Sequence, residues 1–242
     1  MIIDCVADLH GHYPILEGGD LLIVAGDLTR RDSSDEWAEY FLWQGDQNYK
    51  KIIFIAGNHD NALEKNDMAF YSPEHKVDYL CDSGTEFCGK DSKGNSCTMK
   101  IWGSPWTAQF PGINPKCCAF TMPFGCDTED HLADMWALIP DDIDILITHS
   151  PPYGILDKVK LEGQFKLSEP PLQMYEHVGS KSLYNWLKYV GRPKLHVFGH
   201  IHEAYGQVEV FPTYDDKMMI SINASHVNER YQPVNKPIRV IL

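Results

Sequence analysis

No apolar run in this chain approaches the roughly 18–20 residues that would span a bilayer, so no membrane partner is expected. The N-terminus lacks the basic lead and small-residue cleavage site of a secretory signal. Basic residues are scarce: 21 Lys and Arg stand against 34 Asp and Glu, a net charge of −13. That balance argues against a long nucleic acid as partner, because binding a phosphate backbone needs cations that displace counterions. The 7 cysteines form no C-x-x-C pair and no disulfide framework. Free reduced thiols in a cytoplasmic protein are therefore the expectation, and an extra structural zinc is the weaker reading. Repeats and low-complexity tracts are also missing. What is present is an ordinary globular composition, 43% hydrophobic and 23% charged, in 242 residues that suit a single domain spanning 1–242.

Five short stretches carry the chemistry. They read Asp8-Leu9-His10-Gly11, Gly26-Asp27, Gly57-Asn58-His59-Asp60, Thr148-His149 and Gly199-His200-Ile201-His202. Each follows an apolar, β-branched run that reads as a buried strand: 2–7, 21–25, 52–56, 143–147 and 195–198. In an open α/β sheet, ligands bind outside the carboxyl ends of strands, where loops converge. Five ligand-bearing loops at five strand ends point to one polynuclear metal site.

The rest of the chain supplies a frame. Residues 33–43 read as an amphipathic helix with Asp32 or Ser33 as N-cap. Residues 130–138 form a second helical pattern stopped by Pro140, and 180–190 a third ended by Gly191 and Pro193. Further strands are expected at 98–102, 207–211, 218–222 and 238–242, with a hairpin turn across 89–96. Two sheets packed face to face with helices outside would accommodate this order. Residues 104–127 and 150–175 read as long irregular loops able to roof the crevice. Trp106, Phe110, Phe120 and Phe124 in the first loop are expected to pin it to the core, with base stacking by Trp106 the less favoured role.

Two divalent ions held about 3.5–4 Å apart need a bridging carboxylate. Asp27 is the natural bridge, since Gly26 lets the backbone approach closely. Asp8 and His10 alternate along an extended segment and can face the same ion. His200 and His202 have the same spacing and suit two ions, one each. Asn58 offers a carbonyl oxygen and His149 an imidazole nitrogen. This N and O donor set suits Mn, Fe, Zn or Ni without choosing among them.

The ordered set Asp-x-His, Gly-Asp, Gly-Asn-His, His, Gly-His-x-His resembles the calcineurin-like metallophosphoesterase superfamily. Gly103-Ser104-Pro105-Trp106, the run from Thr148 to Asp157, His177-Val178-Gly179 and Asn223-Ala224-Ser225 are similar to its metallophosphodiesterase-domain subfamily. The resemblance implies a four-layer α/β/β/α sandwich of two mixed sheets. It implies one ion held by Asp8, His10, Asp27 and His202, and a second held by Asp27, Asn58, His149 and His200, with Mn favoured. It further implies phosphoester hydrolysis, most readily of a phosphodiester, by a bridging hydroxide. His59 is outside the family's ligand pattern and is assigned to stabilise the phosphoryl group and protonate the leaving oxygen. Asp60 is assigned to orient the loop or the ring. The expected substrate is a small phosphoester or nucleotide. Alternatives are a phosphomonoesterase or nucleotide pyrophosphatase on the same core, or a nucleotide-binding regulatory protein with little turnover. Leu9 stands where the family often has Thr, and Ser150 where Gly is frequent. Arg30 stands where purple phosphatases carry a Tyr three residues after the bridging Asp. His12, His75, His131, His177, His196 and His226 match no ligand position.

Overall fold

A computed structural model describes residues 1–65, 76–109, 116–123, 125–161, 174–210 and 218–242. His75, Phe110 and Phe124 lie outside them, as do parts of both long loops and the last residue of the strand expected at 207–211.

The chain opens with β1 (Ile2–Val6), β2 (Gly19–Ala25), helix α1 (Ser34–Gly45), β3 (Tyr49–Ile55), a single helical turn α2 (Asn61–Glu64) and β4 (Val77–Tyr79). These four strands pair in parallel. A hairpin follows, β5 (Ser83–Lys90) and β6 (Ser96–Ser104), closed where Asp91 N–H donates to the Asn95 carbonyl at 2.9 Å. After the short strands β7 (Thr107–Ala108) and β8 (Thr121–Met122) come α3 (Thr128–Trp136), β9 (Ile145–Thr148), the pair β10 (Lys158–Leu161) and β11 (Met174–His177), α4 (Lys181–Tyr189) and β12 (Leu195–Phe198). A 3-10 turn at His202–Ala204 leads to β13 (Gly206–Val210), β14 (Met219–Asn223) and β15 (Ile238–Ile241).

Two mixed sheets result. One has the order β15-β1-β2-β3-β4, with β15 antiparallel to β1. The other has the order β13-β14-β12-β9-β6-β5, parallel in its middle and antiparallel at both edges. Successive side chains of a strand take opposite faces. Ile3, Cys5, Ile23 and Ile53 of the first sheet thus meet Ile101, Ile145, Ile147 and Val197 of the second in a central core. Val6, Leu22, Val24 and Phe54 face the other way, onto Trp37 and Tyr40 of α1. Beyond the second sheet, Leu146 and Met219 lie under Trp136 of α3 and Leu183, Trp186 and Leu187 of α4. The three cores alternate with helix, sheet, sheet and helix.

Element ends follow local chemistry. Ser33 is the N-cap of α1: it accepts from Glu36 N–H, and the Glu36 carboxylate returns to Ser33 N–H, a capping box. Asp32 instead accepts from Trp37 Nε1 and from Ala62 N–H. Helix α3 is shifted two residues earlier than the apolar pattern implied. The Asp127 carbonyl takes the first helical bonds from Asp130 and His131, and tight bonds at Leu138 and Ile139 unwind the end ahead of Pro140. Gly191 ends α4 because a Cβ there would lie 1.8 Å from the Trp186 ring.

The two long loops are less irregular than expected, since β7 and β8 pair across the first and β10 begins in the second. Trp106 donates to Asp82 and packs edge-on against Phe120, so it anchors the loop rather than offering a stacking face. Strands β4 and β5 escape the sequence pattern. The first has three residues, and the second is a polar edge strand with little buried surface.

Gly103 in β6 sits tight against the first sheet: a Cβ there would lie 2.5 Å from Leu80 Cβ and 2.7 Å from Ile55 Cγ2. Gly103→Ala should overpack this seam and lower stability by about 1–3 kcal/mol. Thermal unfolding checks it, with a lower Tm by several degrees expected.

Candidate metal centre

All the expected site residues fall at the carboxyl ends of strands. Asp8 and His10 follow β1, Asp27 follows β2, and Asn58 and His59 follow β3. His149 follows β9 and His200 and His202 follow β12, so both sheets contribute. The sheets are tied together at this end: Ala7 N–H donates to the Ala224 carbonyl, and His226 N–H donates to the Ala7 carbonyl.

The backbone here is strained. Asp8, His10, Asp27 and His200 have φ of 51°, 45°, 53° and 70°, the left-handed region that non-glycine residues avoid. Such conformations cost about 1–3 kcal/mol each and persist where their surroundings over-determine them. The glycines before Asp27, Asn58 and His200 have a separate reason. A Cβ on Gly26 would lie 2.5 Å from His149 Nδ1, one on Gly57 2.2 Å from Asp27 Oδ1, and one on Gly199 2.3 Å from Asp8 Oδ2. Each glycine makes room for a ligand carried by a different strand.

The donors form two groups on either side of Asp27. Asp27 Oδ2 is 3.5 Å from His10 Nε2, and that nitrogen is 3.3 Å from His202 Nε2. His202 Nε2 lies 3.6 Å from Asp8 Oδ1, which completes the first group. Asp27 Oδ1 is 3.5 Å from His149 Nε2, itself 3.1 Å from Asn58 Oδ1. The His200 ring packs 4.9 Å from the His149 ring on this second side. Donors about 2.1 Å from a shared ion sit about 3.0–3.4 Å apart in octahedral or tetrahedral geometry. The observed separations are close to those edges. The fit is also chemical: Asp8 and Asp27 are buried carboxylates with imidazoles around them.

The surroundings orient these donors. The Ala25 carbonyl holds His149 Nδ1 at 3.0 Å and the Asn228 carbonyl holds His202 Nδ1 at 3.2 Å, turning each Nε2 inward. Asp8 accepts from His200 N–H and from Ser225 Oγ, the latter at 2.5 Å. Asp60 is fully buried and accepts from the backbone of Gly57, Leu28 and Thr29. It therefore braces the loops of Asp27 and Asn58 rather than a ring. Burial and the Asp27 charge raise its pKa.

His59 donates its main-chain N–H to Asp27 Oδ1, and its Nδ1 lies 3.0 Å from the Arg30 carbonyl. Its ring is 4.5 Å from that of His10, close enough to join a metal-binding group with His10 and Asp27. Of the histidines set aside as non-ligands, His196 is buried against Thr148 Oγ1, His177 pairs with the buried Asp157, and His226 meets the Asn235 carbonyl. Sequence reasoning did not single out Tyr231, whose ring sits 4.8 Å from His10 and 5.2 Å from His202. Nor did it identify Asn228, though Ser225 lay in a stretch already noted.

Residues 1–204 match the family model described as calcineurin-like phosphoesterase. This chain belongs to that family. It is 35% identical to metallophosphoesterase domain-containing protein 1 of Homo sapiens and of Mus musculus, over 98% of this chain and 70% of each relative. It is also 32% identical to a protein named probable rhamnogalacturonate lyase C of Emericella nidulans, over 84% of this chain and 17% of that one. Membership makes this phosphoesterase a metal-dependent hydrolase of phosphoesters, and the candidate clusters suit divalent ions.

Electrostatics then set how the phosphoesterase loads metal. Burial alone would lower the His149 pKa, but the Asp27 charge and hydrogen bond outweigh it and raise the group to about 9. Below that value the metal-free protein carries a His149 imidazolium, which stabilises it there and ceases to do so as pH rises through about 9. An ion ligated by Nε2 must displace that proton, so loading near neutral pH should release protons and tighten as pH rises. Calorimetry in two buffers of different ionisation enthalpy checks this, and a buffer-independent heat would contradict it. Separately, Gly57→Ala should weaken divalent-ion affinity about 10–100-fold while leaving the far-ultraviolet spectrum native, because its Cβ intrudes on Asp27 and His149.

Proposed function

We propose that this phosphoesterase is a phosphodiesterase of the dinuclear type, acting on a small phosphoester or nucleotide, with Mn²⁺ favoured. One observation carries the reading. The two oxygens of Asp27 face different imidazoles, His10 on one side and His149 on the other, as a bridging carboxylate requires. Asp8, His10, Asp27 and His202 would hold one ion, and Asp27, Asn58, His149 and His200 the other. Two divalent ions, when bound, supply Lewis acidity and an acidified water as nucleophile.

The chain's own residues do the rest. Nδ1 of His59 is engaged by the Arg30 carbonyl, so Nε2 is the atom that can pass a proton to the leaving oxygen. Ser225 and Asn228 hold Asp8 and His202 in place. The acidic surface disfavours a long nucleic acid. A single domain over 1–242 is supported by β15, which adds to the first sheet beside β1, well beyond the family-matched region. Cys5, Cys81, Cys88, Cys97, Cys118 and Cys126 are free thiols, which favours a reducing, cytoplasmic setting.

The test is hydrolysis of bis(p-nitrophenyl) phosphate by metal-stripped protein, with and without Mn²⁺. Mn²⁺-dependent turnover is expected, and none with any divalent ion would overturn the diesterase reading. His59→Ala should lower kcat by about 10²–10⁴-fold with two ions still bound per chain. Loss of one ion instead would make His59 a ligand.

A further inference from the structure

The rim beside His59 carries an exposed cation, Arg30. The Arg30 side chain is exposed, and among the described residues no carboxylate pairs with it. Its guanidinium lies over the Tyr231 ring, 5.5 Å from the centroid, a distance at which the ring's negative face holds a cation. Tyr231 is itself held. It adopts φ 59°, its N–H donates to the Asn228 carbonyl, and Asn228 Oδ1 accepts from Arg230 and Gln232 N–H. The Asn228 carbonyl that takes Tyr231 N–H also takes His202 Nδ1, so the turn that aims Tyr231 is built on the metal centre. The Tyr231 ring covers His10 and His202 and stands 6.2 Å from His59.

The geometry points to Arg30, stacked on Tyr231, as a specificity residue that binds a second anionic group on the leaving side of the substrate. The side follows from connectivity. The main-chain carbonyl of Arg30 holds His59 Nδ1, and its guanidinium lies over the Tyr231 ring, which stands 6.2 Å from the ring of His59, the group assigned to the leaving oxygen. A planar guanidinium with free N–H donors accepts a carboxylate or phosphate in bidentate fashion. The favoured substrates are phosphodiesters whose leaving alcohol carries such an anion. This inference rests on the phosphodiesterase reading for which bond is cleaved, but the anion site itself does not depend on turnover.

The experiment uses the full chain loaded with Mn²⁺ and two methyl aryl phosphates. The nitrophenol leaving group carries a carboxylate in one and a carboxamide in the other. The preference is read as a ratio of kcat/KM, and again as a ratio of dissociation constants for the arylmethylphosphonate analogues, in which CH₂ replaces the leaving oxygen. The wild-type protein should favour the carboxylate at least tenfold in both ratios. Arg30→Ala should bring both ratios close to one, and Tyr231→Ala should lower both by releasing the guanidinium. A wild-type ratio near one, or an Arg30→Ala ratio equal to wild type, overturns the proposal. Absence of turnover with an Arg30-dependent binding ratio intact would instead sink the phosphodiesterase reading and support the anion site.

Discussion

Everything at the functional end of this protein depends on keeping the Asp27 carboxylate buried. An ionised carboxylate out of water is costly unless charges or donors compensate it. Here the neighbouring His149, His59 and His10 hold its pKa well below the usual carboxylate range despite burial. Its two oxygens divide the surrounding donors into two sets, the division on which the proposed two-ion centre rests. The same carboxylate raises His149, so loading of metal and loss of a proton are coupled through one side chain. Gly26 and Gly57 exist for its benefit, since any larger residue would push His149 or Asp27 aside.

The fold delivers this arrangement by joining two sheets at one end. Parallel strands in the middle of both sheets bring their carboxyl ends to the same edge, and the backbone bonds between Ala7 and 224–226 lock those edges together. The central core between the sheets resists sliding because its side chains interdigitate at native density. That rigidity allows four ligand residues to sit in left-handed conformations. The strain stored there is over-determined by Asp60, Ser225 and the Asn228 turn.

The periphery is arranged on a different principle. The candidate metal ligands lie within the family-matched region 1–204, whereas Asn228 and Tyr231 lie beyond it. The turn that carries Tyr231 meets the centre through a ring face and through the Asn228 carbonyl that turns His202. Substrate choice can thus be set by the rim while the reaction chemistry stays with the strand ends.

Much of the site was legible because its signals are local. A β-branched run followed at once by Asp, Asn or His marks a strand end with a donor, and five repetitions of that pattern marked the centre. The helix cap at Ser33, one of two neighbouring candidates, was legible for the same reason, since a cap needs only residues a few positions apart. Strands β4 and β5 were not, because a short or polar edge strand is defined by its neighbour rather than its own pattern. The Ser225 bond to Asp8 joins residues 217 apart, and the Arg30–Tyr231 contact likewise links distant segments. By itself the sequence determined the donor set, the strand ends that carry it and the class of chemistry. Tertiary structure alone decided how Asp27 divides that set, which carbonyl turns each imidazole and what stands at the rim. Those features are distances between segments far apart in the chain, and only packing of the two sheets brings them within reach.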